Sequence, residues 1–185
     1  VNRQLDHNTQ YGEVRLRWIA ALLAAGDASA IERIAETDDA ELFDAAVDRL
    51  VGRLRDLEEA KDWDALIRLA AVAQERLKDR LKGDRDAEQI ADLLRTARAE
   101  QRKADRQRVA GLLDRLTDGD EAVRAAARKE IAAMNGRAVR PLVDELRGAV
   151  AAQPPDASAE DAILALLASL APQLKGYDPK APVAD

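Results

Sequence analysis

At 185 residues the chain has room for one compact domain or one short run of helical repeats. Hydrophobic residues make up 47% and aromatics only 3%, so Ala, Leu, Ile and Val must fill the interior, which suits helix-on-helix packing. The formal charge of -6 argues against a phosphate-tracking surface, and the absence of cysteine excludes disulfides, thiolate metal sites and cysteine nucleophiles.

Helical periodicity runs through nearly every segment and predicts helices over 13–25, 28–36, 39–59, 63–82, 85–116, 120–134, 138–152 and 157–171. Gly26, Gly83, Gly119, Gly136 and Gly176 fall where helices should stop, as residues that take left-handed backbone at a C-terminus. Asp38 with Glu41, and Ser158 with Asp161, have the spacing of an N-cap followed by an acidic residue. Asp120 is a further N-cap after the turn Asp118-Gly119. Pro154 and Pro155 break the chain after Ala152, and Asp178-Pro179 and Ala181-Pro182 mark an extended tail over 177–185. No run alternates in the manner of a strand.

The apolar runs "WIAALLAA" and "AILALLASLA" fall far short of the roughly 20 residues a membrane-spanning helix needs, so no membrane association is expected. Val1 stands where an initiating methionine would, which suggests a piece of something longer. A cytoplasmic location is the simplest expectation.

Few residues offer chemistry. His7 is the only histidine and stands in the polar opening "QLDHNTQ", so a hydrolytic triad has no other base to use; we read it as a solvent-exposed bystander. The segment "ETDDAELFDAAVD" carries six carboxylates between Glu36 and Asp48, placed for capping and for the helix dipole rather than for acid-base work or a calcium loop. The nine glycines are scattered, and neither a Walker loop nor a dinucleotide fingerprint can be drawn. No cofactor and no metal is implied. Trp18, beside Val14, Ala21 and Leu22, and Trp63, beside Leu66 and Ile67, read as core filling before they read as partner anchors.

The run "RTARAEQRKADRQR", 95–108, holds six basic and two acidic residues. On a helix Arg95, Arg98, Arg102 and Arg106 share one face, a stripe that an acidic partner or a phosphate backbone would meet. The plainer reading is solvated charge on a long helix, some of it paired locally, as Arg102 with Asp105. No aromatic residue lies nearby for base stacking.

"DGDEAVRAAARKEIAAMNGRAVRPLVDEL", 118–146, is the most patterned stretch. Val123, Ala126, Ala127, Ile131 and Met134 line one predicted face, and Val139, Leu142, Val143 and Leu146 line the next. "GEVRLRWIAALLAAGDASAIERI", 12–34, is a weaker copy. Recurrence of a hairpin suggests stacking, because one helix pair cannot bury its apolar face alone. Leu112-Leu113, Leu116, Asp118, Asp120, Val123-Arg124, Ala126-Ala127 and Ala138-Val139-Arg140-Pro141-Leu142 resemble a HEAT repeat, most closely over 109–146 and more loosely over 157–171 and 12–34. Thr9 stands where the family's aspartate would precede Arg15.

The resemblance implies an all-α, α-α superhelix: a solenoid of about four hairpins in a single domain, 1–176, HEAT-like over 109–171 and with a longer irregular hairpin at 53–116. It also implies a ladder role for Asp118 and Arg124 between neighbouring repeats. The function it implies is a non-catalytic scaffold whose partner is another protein. Nucleic-acid binding through 95–108 is the alternative, since some HEAT-like proteins are DNA glycosylases, and a HEAT-like pigment lyase is a third reading with no residue to carry it.

Overall fold

The computed structural model describes residues 2–152 and 157–170, and for 2–10 and 158 the backbone alone. Among them are eight α-helices and no strand: α1 (Asn2–Ala24), α2 (Ser29–Ala35), α3 (Ala40–Glu59), α4 (Trp63–Leu77), α5 (Arg85–Leu116), α6 (Glu121–Ala133), α7 (Gly136–Ala151) and α8 (Ala157–Leu170). The all-α expectation is met. The expected break at Pro154-Pro155, the cap of Ser158 on Asp161, Gly176, the tail at 177–185 and the side chains of His7 and Thr9 lie outside the described residues.

Capping explains most boundaries. Asp120 accepts a bond from Ala122 N at 2.8 Å and starts α6 as expected. At α3 the cap is Asp39, which accepts from Leu42 N at 2.9 Å, and not Asp38. Asp62 does the same for Ala65 N at 3.1 Å and starts α4. Helix α1 closes in a Schellman turn: Asp27 N donates to Leu22 O (2.9 Å), Gly26 N to Leu23 O (3.0 Å), and Gly26 takes φ +70°. The same two bonds close α3, from Asp62 N to Leu57 O and from Lys61 N to Glu58 O, with Lys61 at φ 56° in the left-handed position.

Gly83 also adopts positive φ, but Gly119 and Gly136 do not. Gly136 instead begins α7, and the positive φ there belongs to Asn135. Helix α1 begins eleven residues before the expected start at 13 because "NRQLDHNTQ" has no apolar stripe to reveal it. Helix α4 ends at Leu77 rather than 82, where the chain turns and sends the Arg80 side chain back to α2.

The chain divides into two compact units, Val1–Gln101 and Arg102–Asp185, with the division inside α5. In the first, α1 packs against α2 and α3, α2 against α3 and α4, and α3 against α4. Ile19, Ile31, Ile34, Leu50, Leu54, Leu66, Leu69 and Leu77 are buried at its centre, and α5 adds Ile90, Leu94 and Ala97. Full burial of one such aliphatic side chain contributes roughly 2 kcal/mol. Trp63 packs at the edge of this core, as expected.

Two arginines tie successive elements of the first unit together. Arg53 of α3 donates to Leu23 O and Ala24 O, both at 3.2 Å, at the carbonyl end of α1. Arg80, just past α4, donates to Ala35 O (3.1 Å) and Thr37 O (2.6 Å) at the carbonyl end of α2, and lies 3.6 Å over the Phe43 ring. Each places a cation where the helix dipole is negative and satisfies carbonyls left without intrahelical donors.

In the second unit α7 packs along α8. Val109 and Leu112 of α5, Ala127 and Ile131 of α6, Ala138, Leu142 and Leu146 of α7, and Ile163 and Leu167 of α8 share its core. The α6 stripe is narrower than expected: Ala127, Ile131 and Met134 are buried, Val123 is half-buried and Ala126 is exposed. Pro141 is buried in the second turn of α7. There its missing N–H leaves the Arg137 carbonyl without a helical donor.

Candidate interaction surface

The four arginines of the basic stripe all lie on α5, and all are exposed. Arg95 and Arg98 belong to the first unit, Arg102 and Arg106 to the second. Arg95 pairs with Asp92, and Arg106 reaches Asp144 of α7 at 3.4 Å. Among the described residues Arg98 and Arg102 meet no carboxylate. The local pair expected between Arg102 and Asp105 does not form. Asp105 is buried and instead accepts two bonds from the Arg137 guanidinium, Nε at 3.0 Å and Nη2 at 2.7 Å. A two-pronged contact across 32 residues of chain outcompetes an exposed i,i+3 pair because it is geometrically matched and pairs a carboxylate that is itself buried.

Arg124 and Asp118 are joined, but through the backbone: Arg124 Nη1 donates to Asp118 O at 2.6 Å. The rest of the guanidinium binds Glu121, and the Asp118 carboxylate accepts from Asp120 N at 2.9 Å. Hydrogen bonds from Arg124, then from Arg128, hold the Glu121 carboxyl below the usual carboxylate range. Among the described residues the contacts of this group stay within one turn and the helix it starts.

Of the carboxylates at the start of α3, Asp39 caps the helix and the others are exposed. Burial raises the Asp86 carboxyl above its usual range, and the neighbouring charges of Asp84, Asp48 and Asp44 add to the rise. Among the described residues no group of three or more His, Cys, Asp or Glu side chains is placed to hold a metal ion. No described helix is long and apolar enough to cross a membrane.

The surface that stands apart is on α1. Tyr11 is 69% exposed, Val14 65% and Trp18 48%, spaced by three and four so that they form one stripe. Trp18 is therefore not core filling. The buried side of α1 is carried by Leu16, Ile19 and Leu23, with Gly12 facing Leu42 of α3, which leaves the 11/14/18 stripe on the far side of the helix. Arg33 of α2 crosses to that stripe and lies 4.9 Å from the centroid of the Trp18 ring. Arg15 donates to Arg33 O at 3.2 Å and completes a shallow groove lined by Tyr11, Val14, Arg15, Trp18 and Arg33.

This arrangement has no nucleophile or acid-base pair. What it has is three exposed apolar or aromatic side chains on one rigid helix, with two guanidinium groups held at their edge. Tyr, Trp and Arg are the side chains that most often dominate binding energy at protein interfaces. The repeated apolar spacing of Val14, Trp18 and Leu22 was visible in the sequence, but not which of the two apolar stripes of α1 turns outward. No family model matches the chain, and neither a curated protein nor a solved structure does.

Proposed function

We propose that the chain is a non-catalytic helical-repeat scaffold of the HEAT-like, α-α superhelical kind, and that the outward face of α1 and α2 grips another protein. The first unit supports the repeat reading. Contacts between α1 and α2 and between α3 and α4 are those of two hairpins, and contacts of α1 with α3 and α2 with α4 are those of one hairpin stacked on the next. The Arg53 and Arg80 bonds follow the same step of two helices. In the second unit, the long pairing of α7 with α8 supports a further hairpin.

The observation that carries the binding role is the Tyr11–Val14–Trp18 stripe beneath Arg33. A helix face open to water ordinarily carries polar side chains, and this one presents a tyrosine, a valine and a tryptophan instead. An exposed apolar cluster of this kind marks an interaction site.

The test uses the full chain with Tyr11→Ser and Trp18→Ser, compared with the unmodified chain for partners recovered from cells. Loss of a partner at an unchanged thermal midpoint is expected. Equal recovery of every partner would move the binding surface elsewhere.

A further inference from the structure

We propose that the α1–α2 face receives an amphipathic helix with an acidic edge, its apolar side chains on Tyr11, Val14 and Trp18 and a carboxylate on Arg15. The inference rests on the reading of this face as a partner surface and names the partner's chemistry.

The spacing of the stripe is the first argument. Tyr11, Val14 and Trp18 span two turns of a straight helix, about 10 Å, and α2 supplies Arg33 as a second wall. A ridge of large side chains beside a wall is the geometry that receives the ridge of another helix. Residues 11–18 lie inside α1, where the backbone bonds within the helix, so the partner must bring side chains and not a strand edge.

Charge decides the rest. Two ion pairs border the stripe: Arg17 with Glu13 at 3.8 Å and Arg33 with Glu36 at 3.2 Å. Both are exposed and each cancels itself. Arg15 differs. It is half-buried in the groove lining, and its one hydrogen bond is to the Arg33 carbonyl, so among the described residues its positive charge has no carboxylate. A carboxylate from the partner supplies the missing charge, and among the described residues the groove lining contributes no acidic side chain to repel it. A basic helix finds no counter-charge among the described lining residues and meets the Arg15 guanidinium.

The experiment uses the full chain, labelled with nitrogen-15, and three synthetic peptides of about 15 residues, four helical turns. The first carries leucines at helical spacing flanked by glutamates. The second has lysines in place of the glutamates. The third has the composition of the first with the leucines shuffled out of register. The first peptide alone is expected to move the Trp18 indole signal together with the amides of 11–18 and Arg33. Trp18→Ser weakens its binding about tenfold or more, and Arg15→Glu weakens it about tenfold while shifting preference to the lysine peptide. Arg15→Lys retains most of the affinity, which separates a charge contact from damage to the fold.

Equal or tighter binding of the lysine peptide overturns the acidic edge. Equal binding of the shuffled peptide overturns the amphipathic helix. If no peptide moves these signals while recovery of a cellular partner still depends on Trp18, the partner's chemistry is wrong and the partner surface stands. If that recovery is also independent of Trp18, both fall. Concentration-dependent broadening of the same signals without peptide assigns the face to a second copy of the chain and overturns the proposal.

Discussion

In Val1–Gln101 two of the arginines that link elements go to backbone, Arg53 to the carbonyl end of α1 and Arg80 to that of α2, beside a single exposed pair with a carboxylate among the described residues, Arg76 with Glu32 at 3.7 Å. In Arg102–Asp185 they go to carboxylates: Arg137 to Asp105, Arg106 to Asp144, and Arg108 and Arg115 to Glu130 at 3.8 and 3.0 Å. The first unit also has the larger aliphatic core. Resemblance to a repeat in sequence and the pattern of helix contacts therefore do not coincide along this chain. The residues most like a HEAT repeat lie at 109–146, where many links are exposed ion pairs. The step-of-two packing is clearest among α1–α4, where the signature is faint.

The largest effects probe the two cores. Leu50→Ala in α3 and Leu142→Ala in α7 each remove a fully buried side chain and are expected to cost about 3 kcal/mol in their own unit. Amide hydrogen exchange resolves each: faster exchange across α1–α4 for the first and across α6–α8 for the second. A loss below about 1 kcal/mol at either site would mean that the core there is loosely packed.

Next come the two kinds of arginine link. Arg137→Ala strands the Asp105 carboxylate, whose side chain is only 10% exposed, and is expected to cost about 2–3 kcal/mol by denaturant unfolding. Asp105→Ala costs less, because the Arg137 side chain is 47% exposed and regains water. Arg80→Ala removes two bonds to carbonyls and the stack on Phe43, and about 1.5–2 kcal/mol is expected. Salt sharpens the comparison. Between about 0.05 and 0.5 M the Debye length falls from roughly 14 to 4 Å, so the exposed pairs on Glu130 and Asp144 weaken more than the backbone-directed bonds of Arg53 and Arg80.

Smaller effects test local chemistry. Asp39→Ala is expected to cost about 1 kcal/mol and Asp38→Ala less than about 0.5, since only Asp39 caps α3. Lys61→Gly is expected to raise stability by about 0.5 kcal/mol, because φ 56° suits glycine and the Schellman bonds are kept. A drop in the melting midpoint for Lys61→Gly would place the lysine side chain in a contact that outweighs its backbone strain.

Helix existence and the aliphatic core were legible in the sequence, because a 3.6-residue period with glycine and aspartate at its ends admits one local solution. Three features were not. Asp38 and Asp39 are adjacent and chemically equivalent, so only backbone geometry selects the cap. Asp105 has an obvious neighbour in Arg102 and a better one in Arg137, and sequence spacing sees the first alone. Trp18 belongs to a helix with two apolar stripes, 12/16/19/23 and 11/14/18/22, and periodicity cannot say which one α3 covers. The exposed stripe on α1 was hidden for that last reason, whereas the basic stripe on α5 was conspicuous because its charges were concentrated in one run.

Acrylamide quenching of Trp18 fluorescence, in the full chain carrying Trp63→Phe, tests the interaction surface most directly. Strong quenching is expected in the free chain, as for an indole half open to water, and several-fold protection once the glutamate-edged helical peptide is bound. An indole already shielded in the free chain, or one that stays equally quenched with the peptide at saturation, would contradict it.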